Sequence, residues 1–258
     1  MLPTLFISHG APSLPLETSA PTYSFMQGLL TGLKPRAILV ASAHWEETRP
    51  TLTSAARLGI IHDFYGFPEE LYRMRYEARG EPALAKRAAT LLSDAGIEGG
   101  VDFERGLDHG AWSPLYLAAP KADIPVVQLS LDASLDASRH LALGRALAPL
   151  REEGVLIVGS GGAVHNLRAL DWNQFSGAKT APWALEFQGW LDAAMASPAR
   201  SKLLSEWQAA PNARMAHPRE EHFMPLHVAV GAAENERAVK IHDAWQMGNM
   251  SMAAWRLG

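Results

Sequence analysis

Residues 154–165 read Gly-Val-Leu-Ile-Val-Gly-Ser-Gly-Gly-Ala-Val-His. A continuous apolar run followed by a glycine-rich turn marks Gly154–Ser160 as a strand buried on both faces, ending in a loop that delivers His165. The glycines are expected to permit a tight strand-to-helix turn that aims this histidine. Three other runs have the same character: Leu2–Ser8, Arg36–Ala43 and Ile124–Leu131. They are short, rich in Ile, Val and Leu, and bounded by Gly, Pro or polar residues.

Helical patterns lie between the strands, at Thr22–Leu33, Pro82–Ala95, Ser138–Glu152 and Pro182–Ala196. Pro82 and Pro182 suit first-turn positions. The doublet LDASLDAS at 131–138 supplies Ser and Asp side chains as N-caps. A further helix is expected within His222–Ala233. Alternating strands and helices predict an α/β fold: an α/β/α sandwich with a central, mostly parallel sheet. No repeat, low-complexity linker or composition shift divides the chain, so residues 1–258 read as one domain.

Composition narrows the function classes. The 258 residues carry 23 Lys+Arg against 27 Asp+Glu, a formal net charge of −4, with no basic block to track phosphates. Nucleic acid is therefore not an expected partner. No apolar run reaches the ~20 residues that span a bilayer, and the N-terminus lacks the pattern of a signal peptide. The default expectation is a cytoplasmic protein without a membrane partner. The chain has no cysteine, which removes disulfides, thiolate metal sites and a cysteine nucleophile. A transition metal must then bind through nitrogen or oxygen, and ten histidines are present.

Three histidines follow expected strands: His9 after TLFIS, His44 after LVASA, and His165 after LIVGSGGAV. Ligand sites of open α/β sheets lie outside the carboxyl ends of their strands, so this placement gathers three imidazoles at one rim. Any one of them alone reads more readily as a hydrogen-bonded loop residue than as a ligand; the shared position of all three favours a site. Imidazole suits Zn, Fe, Cu and Ni. The segment HPREEHFMPLH at 217–227 adds three histidines at spacings of five, interrupted by Pro218 and Pro225. That is not helical ligand spacing; a polar loop is the plainer reading, with at most one or two of the three in a site. His62 and His109 sit in loops rich in glycine and aromatics, which can line a pocket or simply turn. His140 lies in a helical pattern and is expected at the surface; His242 carries no signal.

Other chemistries lack their motifs. There is no H-E-x-x-H, and VGSGG at 158–162 has Val158 where a nucleophile elbow needs glycine. The same stretch lacks the Lys of a P-loop and the third glycine of a dinucleotide fingerprint.

Six motifs occur in order along nearly the whole chain: ISHGAPS (7–13), SAHWE (42–46), HDFYGFP (62–68), LDHGAW (107–112), GSGGAVHNL (159–167) and HPREEHFMPLHVAVGAA (217–233). Together they resemble the class III extradiol ring-cleavage dioxygenases, most closely the DOPA 4,5-dioxygenase-like branch. The resemblance implies a single-domain α/β fold and a mononuclear non-haem Fe(II) site, in which Zn(II) can replace iron. By this resemblance His9, His44 and His222 match metal-binding histidines. The related protocatechuate 4,5-dioxygenase branch has a glutamate at the third position, so the chain departs from a 2-His-1-carboxylate set, with Glu221 adjacent. His165 matches a fourth histidine, either a ligand in the absence of substrate or an acid–base residue. His109 matches a pocket histidine that contacts substrate or moves protons.

The implied partners are a small aromatic diol and dioxygen, and the implied product is a yellow semialdehyde acid. Asp63, Asp108 and Asn166 are adjacent to these histidines and are the acceptors expected to fix their tautomers. Arg73, Arg75 or Arg219 could receive a substrate carboxylate, but a loop arginine is more often solvated, and none of the three is singled out. Two other readings use the same residues: a zinc hydrolase with His165 as base, and a Memo-like protein that binds without catalysing. No association motif sets an oligomeric state.

Overall fold

In the computed structural model, which describes residues Met1–Gly258, the strands are β1 (Thr4–Ser8), β2 (Ala37–Glu47), β3 (Thr51–Thr53), β4 (Arg57–Leu58), β5 (Ala78–Arg79), β6 (Gly100–Asp102), β7 (Val126–Asp132), β8 (Val155–Gly161), β9 (Ala238–His242), β10 (Trp245–Gln246), β11 (Met250–Ser251) and β12 (Ala254–Leu257). The α-helices are α1 (Pro21–Gly28), α2 (Glu69–Arg73), α3 (Pro82–Asp94), α4 (His109–Ala118), α5 (Ala137–Leu147), α6 (Pro182–Ala196), α7 (Arg200–Ser205), α8 (Ala213–Ala216) and α9 (Met224–Gly231). Eight strands form one sheet in the order β6-β3-β7-β2-β8-β1-β12-β9. Its centre, β7-β2-β8-β1, is parallel throughout. The last strand, β12, returns antiparallel to β1, placing Leu257 opposite Thr4.

Both faces of this centre are covered. Ile38, Val40, Leu156 and Val158 point to one side, against Met26 of α1 and Trp112 of α4. The alternate residues Leu39, Val155 and Ile157 point to the other, against α3, α5 and Val228 of α9. Period-two alternation with apolar residues at both phases is why these strands read as unbroken hydrophobic runs. Each fully buried Leu or Ile contributes roughly 1.5–3 kcal/mol. The expected α/β/α sandwich is the fold observed. None of its helices is long and apolar enough to cross a membrane.

Several local expectations change. The first helix ends at Gly28 instead of Leu33; the i→i−3 bonds Thr31 N–H to Gly28 O (2.9 Å) and Leu33 N–H to Leu30 O (2.9 Å) replace it. Gly28 and Gly32 weaken any continuation. Helix α5 stops at Leu147, and Ala148–Arg151 tightens to a 3₁₀ turn, since Pro149 has no N–H to continue the ladder. Asp136 caps α5 by accepting from Arg139 N–H at 2.8 Å, and Pro82 and Pro182 occupy first turns, both as expected.

The glycines of GSGG have a different purpose from the one read in the sequence. No α-helix follows β8; Val164 bridges to Ser251 and a 3₁₀ turn, Leu167–Ala169, comes next. A Cβ on Gly161 would lie 2.2 Å from the His222 carbonyl oxygen. The missing side chain lets the segment leading into α9 close directly onto the end of β8.

His140 is buried, not at the surface. Its Nδ1 donates to Asp136 O at 2.7 Å, and its Nε2 accepts from Asp132 N–H at 3.2 Å. The segment 217–227 is also largely interior: His217 Nε2 lies 3.1 Å from Ala163 O, and the two ring nitrogens of His227 lie 3.0 Å from Phe223 O and Leu204 O. Pro225 does not interrupt a helix; it stands in the first turn of α9.

Candidate metal centre and active site

The parallel centre of the sheet brings the carboxyl ends of β1, β8 and β2 side by side. His9 follows the last residue of β1. His44 lies within β2, not after it as its sequence suggested. Pairing with β7 breaks between Ala41 and Glu46 and then resumes, which leaves residues 42–45 as an irregularity at the strand's outer end. Such irregularities re-aim side chains, and here the aim is toward His9. His222 arrives from the turn before α9, fixed by the bond from Gly162 N–H to its carbonyl at 2.8 Å.

These three imidazoles meet at their Nε2 atoms. His44 Nε2 lies 3.0 Å from His9 Nε2 and 3.2 Å from His222 Nε2. Each ring's other nitrogen faces an oxygen. His9 Nδ1 lies 3.0 Å from Ser160 Oγ, and His222 Nδ1 lies 3.0 Å from a Glu221 carboxylate oxygen. His44 Nδ1 is 3.8 Å from Asp63 Oδ2. Ser160 donates its own proton to Gly110 O at 2.5 Å, so it accepts from His9 Nδ1–H. With Nδ1 protonated, the Nε2 lone pairs point at one another, a repulsive arrangement that a cation between them relieves. The donor set and its outer acceptors thus fit a metal ion.

Electrostatics agree. Burial first, and the neighbouring imidazoles second, hold His9, His44 and His222 well below the ordinary histidine value. Neutral rings are the form that binds a metal. Burial and then His109 lower His165 to about 4. The His165 ring stacks on His222, with centroids 3.5 Å apart and planes 8° from parallel. It groups with Glu221 and His222 and stands outside the His9–His44–His222 trio.

His109 opens α4 behind its cap residue Asp108. Its backbone N–H donates to Asp63 Oδ1 at 2.9 Å, and its Nδ1 lies 2.9 Å from Asp63 Oδ2. The ring sits 3.9 Å, centroid to centroid, from His44. Burial alone would raise the Asp63 carboxyl, but the hydrogen bonds it accepts from His109 outweigh it and hold it below the usual carboxylate value.

Of the three acceptors expected by adjacency, only Asp63 reaches a histidine. Asp108 accepts from Ser42 Oγ at 2.6 Å, from Gln128 Nε2 and from Ala111 N–H at 3.2 Å. Asn166 caps a turn through Arg168 N–H at 3.1 Å and donates to Met215 O at 2.7 Å. Short polar side chains at helix and turn starts go to backbone amides before distant rings. Ser160 is the acceptor that sequence reading missed; its position in GSGG, one strand over from His9, was the available signal.

A cavity of about 470 Å³ opens over His44, His109, His165 and His222. Phe64, Tyr65, Phe67, Leu167, Leu170 and Trp172 also line it, and Phe67 and Leu170 pack on one cluster of Ala11, Met247, Met250 and Met252. His62 is not in the lining; it packs edge-on against Phe64 and Trp112. His242 stands elsewhere, stacked on Phe25. Arg73, Arg75 and Arg219 do not line the cavity either. Arg73 pairs with Glu69 at 2.5 Å, Arg75 donates to Tyr72 O at 3.0 Å, and Arg219 forks onto Glu46 at 2.5 and 2.6 Å.

Known proteins match this chain along its length. The family model described as the catalytic LigB subunit of aromatic ring-opening dioxygenase matches residues 4–258. A 4,5-DOPA dioxygenase extradiol of Beta vulgaris is 45% identical, over 98% of this chain and 95% of that protein. A protein of the same name from Escherichia coli K12 is 38% identical, over 100% of this chain and 95% of its own. The crystal structure of an uncharacterized protein from Escherichia coli K12 superposes with a TM-score of 0.83 at 34% identity, covering 100% of both chains. With this fold, this histidine cluster and these matches, the chain belongs to the LigB family and is an extradiol aromatic ring-opening dioxygenase.

Proposed function

We propose that this dioxygenase opens the ring of a catechol, DOPA-like or related, at an Fe(II) centre held by His9, His44 and His222, with residues 1–258 working as one catalytic domain. The observation that carries the reading is the meeting of three Nε2 atoms at 3.0 and 3.2 Å from three separate parts of the chain. Zn(II) suits the same nitrogen donors and is the expected substitute. The one-domain reading draws support from the span of the family match and from the pairing of the last strand with the first.

Fe(II) held by His9, His44 and His222 would supply electron transfer between a catecholate and dioxygen. The chain's own residues handle binding and protons. Asp63 takes the His109 Nδ1 proton into a hydrogen bond, which leaves His109 Nε2 as the base for a catechol hydroxyl. The Asp63 carboxylate then stabilises the imidazolium that forms. His165, neutral and stacked on His222, offers a second proton-handling nitrogen in the cavity lining. The aromatic wall orients the substrate ring.

The test is oxygen uptake by protein reconstituted with Fe(II) under anaerobic conditions, across a catechol panel that includes DOPA and protocatechuate. Iron-dependent uptake with a new yellow chromophore is expected. Turnover with Zn(II) in the absence of oxygen would replace this reading with hydrolysis.

A further inference from the structure

Arg105 lies in the loop between β6 and α4, where its backbone N–H donates to Asp102 Oδ1 at 2.8 Å. Its guanidinium reaches three groups. Cζ stands 4.6 Å from the centre of a Trp45 ring. Nη2 donates to the carbonyl oxygen of His44 at 3.3 Å and faces Asp108 Oδ2 at 3.5 Å. His44 and Trp45 belong to the irregular part of β2, and Asp108 caps α4, whose first residue is His109. One planar side chain thus spans the strand that carries His44 and the helix that carries His109.

The strand needs such support. Pairing of β2 with β8 ends at Ser42, and pairing with β7 lapses between Ala41 and Glu46. Asp108 offers a firm base on the other side. It is fully buried, and its carboxyl accepts from Ser42 of β2, Gln128 of β7 and Ala111 of α4. Arg105 adds the His44 backbone to the same hub. A delocalised fork stacks on an aromatic ring while donating in its own plane, which an ammonium does not do. Arg219 is the other clip on this strand, through Glu46. Its side chain is 55% exposed, against 23% for Arg105, and exposed ion pairs hold geometry weakly.

We infer that Arg105 is a positioning residue for ring cleavage: it locks the irregular segment of β2 onto the start of α4 and so sets the spacing of His44 and His109, now 3.9 Å between ring centroids. Its effect on rate rests on the catechol dioxygenase reading above; its effect on spacing rests on geometry alone. Arg105 does not line the cavity, so it acts through those two rings. In that reading His44 holds the metal and His109 Nε2 receives the catechol proton. Proton transfer needs a separation of about 2.6–3.2 Å, and a misplacement of about 1 Å can cost 10²-fold in rate.

The test uses the full chain with two substitutions. Arg105→Met keeps the stem and removes every donor; Arg105→Lys keeps one charge and loses the fork. Ring cleavage of the catechol that the wild type cleaves fastest is measured on iron-loaded protein, together with metal content. Crystal structures of the zinc-loaded wild type and variants give the His44–His109 spacing. Arg105→Met is expected to lower kcat by about tenfold to hundredfold, with KM within about twofold, metal content held and the spacing altered. Arg105→Lys is expected to fall between Arg105→Met and the wild type. His227→Ala, destabilised away from the site, is the control and is expected to keep its kcat. An unchanged kcat or an unchanged spacing overturns the inference, and so does a loss of kcat matched by loss of metal. If the wild type cleaves no catechol, the dioxygenase reading falls, and the spacing in the zinc-loaded structures decides the role of Arg105 by itself. Should Arg105→Met fail to fold, Arg105→Lys is read by the same criteria.

Discussion

Asp63 grips His109 with both carboxylate oxygens, one on the backbone N–H and one on Nδ1, each at 2.9 Å. The residues are 46 positions apart, and the pair sets both the ring's orientation and its tautomer. Asp63→Asn keeps the shape and can donate where the carboxylate accepted. Ring-cleavage kcat is expected to fall by about 10²-fold or more, with metal content unchanged. Steady-state kinetics alongside metal analysis checks this; loss of metal in step with activity would assign Asp63 to the metal site instead.

Ser160 plays the corresponding part for His9. Its Oγ accepts from Nδ1 at 3.0 Å while donating to Gly110 O at 2.5 Å. Removing an acceptor behind a metal-binding histidine weakens metal affinity by about 10–100-fold. Ser160→Ala is expected to show that loss in a competitive metal titration. An unchanged affinity would mean that His9 does not bind the metal.

Gly110 lies where the histidines pack. A Cβ there would sit 2.5 Å from Ser42 Oγ, 3.0 Å from His44 Cδ2 and 3.2 Å from His9 Cε1. Gly110→Ala is expected to displace both rings, lower metal loading and cost about 1–3 kcal/mol of stability through overpacking. Metal content and a urea unfolding curve of the same sample measure the two effects.

His222 and His227 share a segment and are expected to respond oppositely. The two ring nitrogens of His227 lie 3.0 Å from two buried carbonyls, and His227 is in none of the histidine–carboxylate groups that could hold a metal. His227→Ala should destabilise the fold by about 2–4 kcal/mol while the purified protein still binds metal. His222→Ala should lose metal with a smaller change in unfolding. The paired comparison fails if both variants lose metal while remaining folded.

The metal-free protein should lose stability in mild acid. His165 and His227 are held at about 4, and His217 at about 3, chiefly by burial. Their folded values lie below the unfolded value of about 6.5. The unfolded chain therefore takes up protons first, so stability is full above about pH 6.5 and declines as pH falls toward 4. Each such histidine contributes about 1.4 kcal/mol per pH unit within that window. Unfolding midpoints at pH 7.5, 6.0 and 5.0 are expected to decrease in that order; a flat profile would show these rings free to protonate in the fold.

Much of this protein was written in short-range pattern. The apolar runs that became β1, β2, β7 and β8, the prolines opening α3 and α6, and the Asp136 cap depend on neighbours within a few residues, where periodicity and backbone chemistry act alone. His9 at a strand end was legible for the same reason. Tertiary structure decided the rest, because it depends on segments that are distant in the chain. The pairing of Asp63 with His109, the acceptor role of Ser160, the irregularity that turns His44 inward and the burial of His140, His217 and His227 all follow from how the layers close. A histidine's own sequence neighbourhood is much the same whether its ring meets a carbonyl, a carboxylate or two other imidazoles. Which of these it meets is settled when helices pack onto the sheet and every buried polar atom must find a partner.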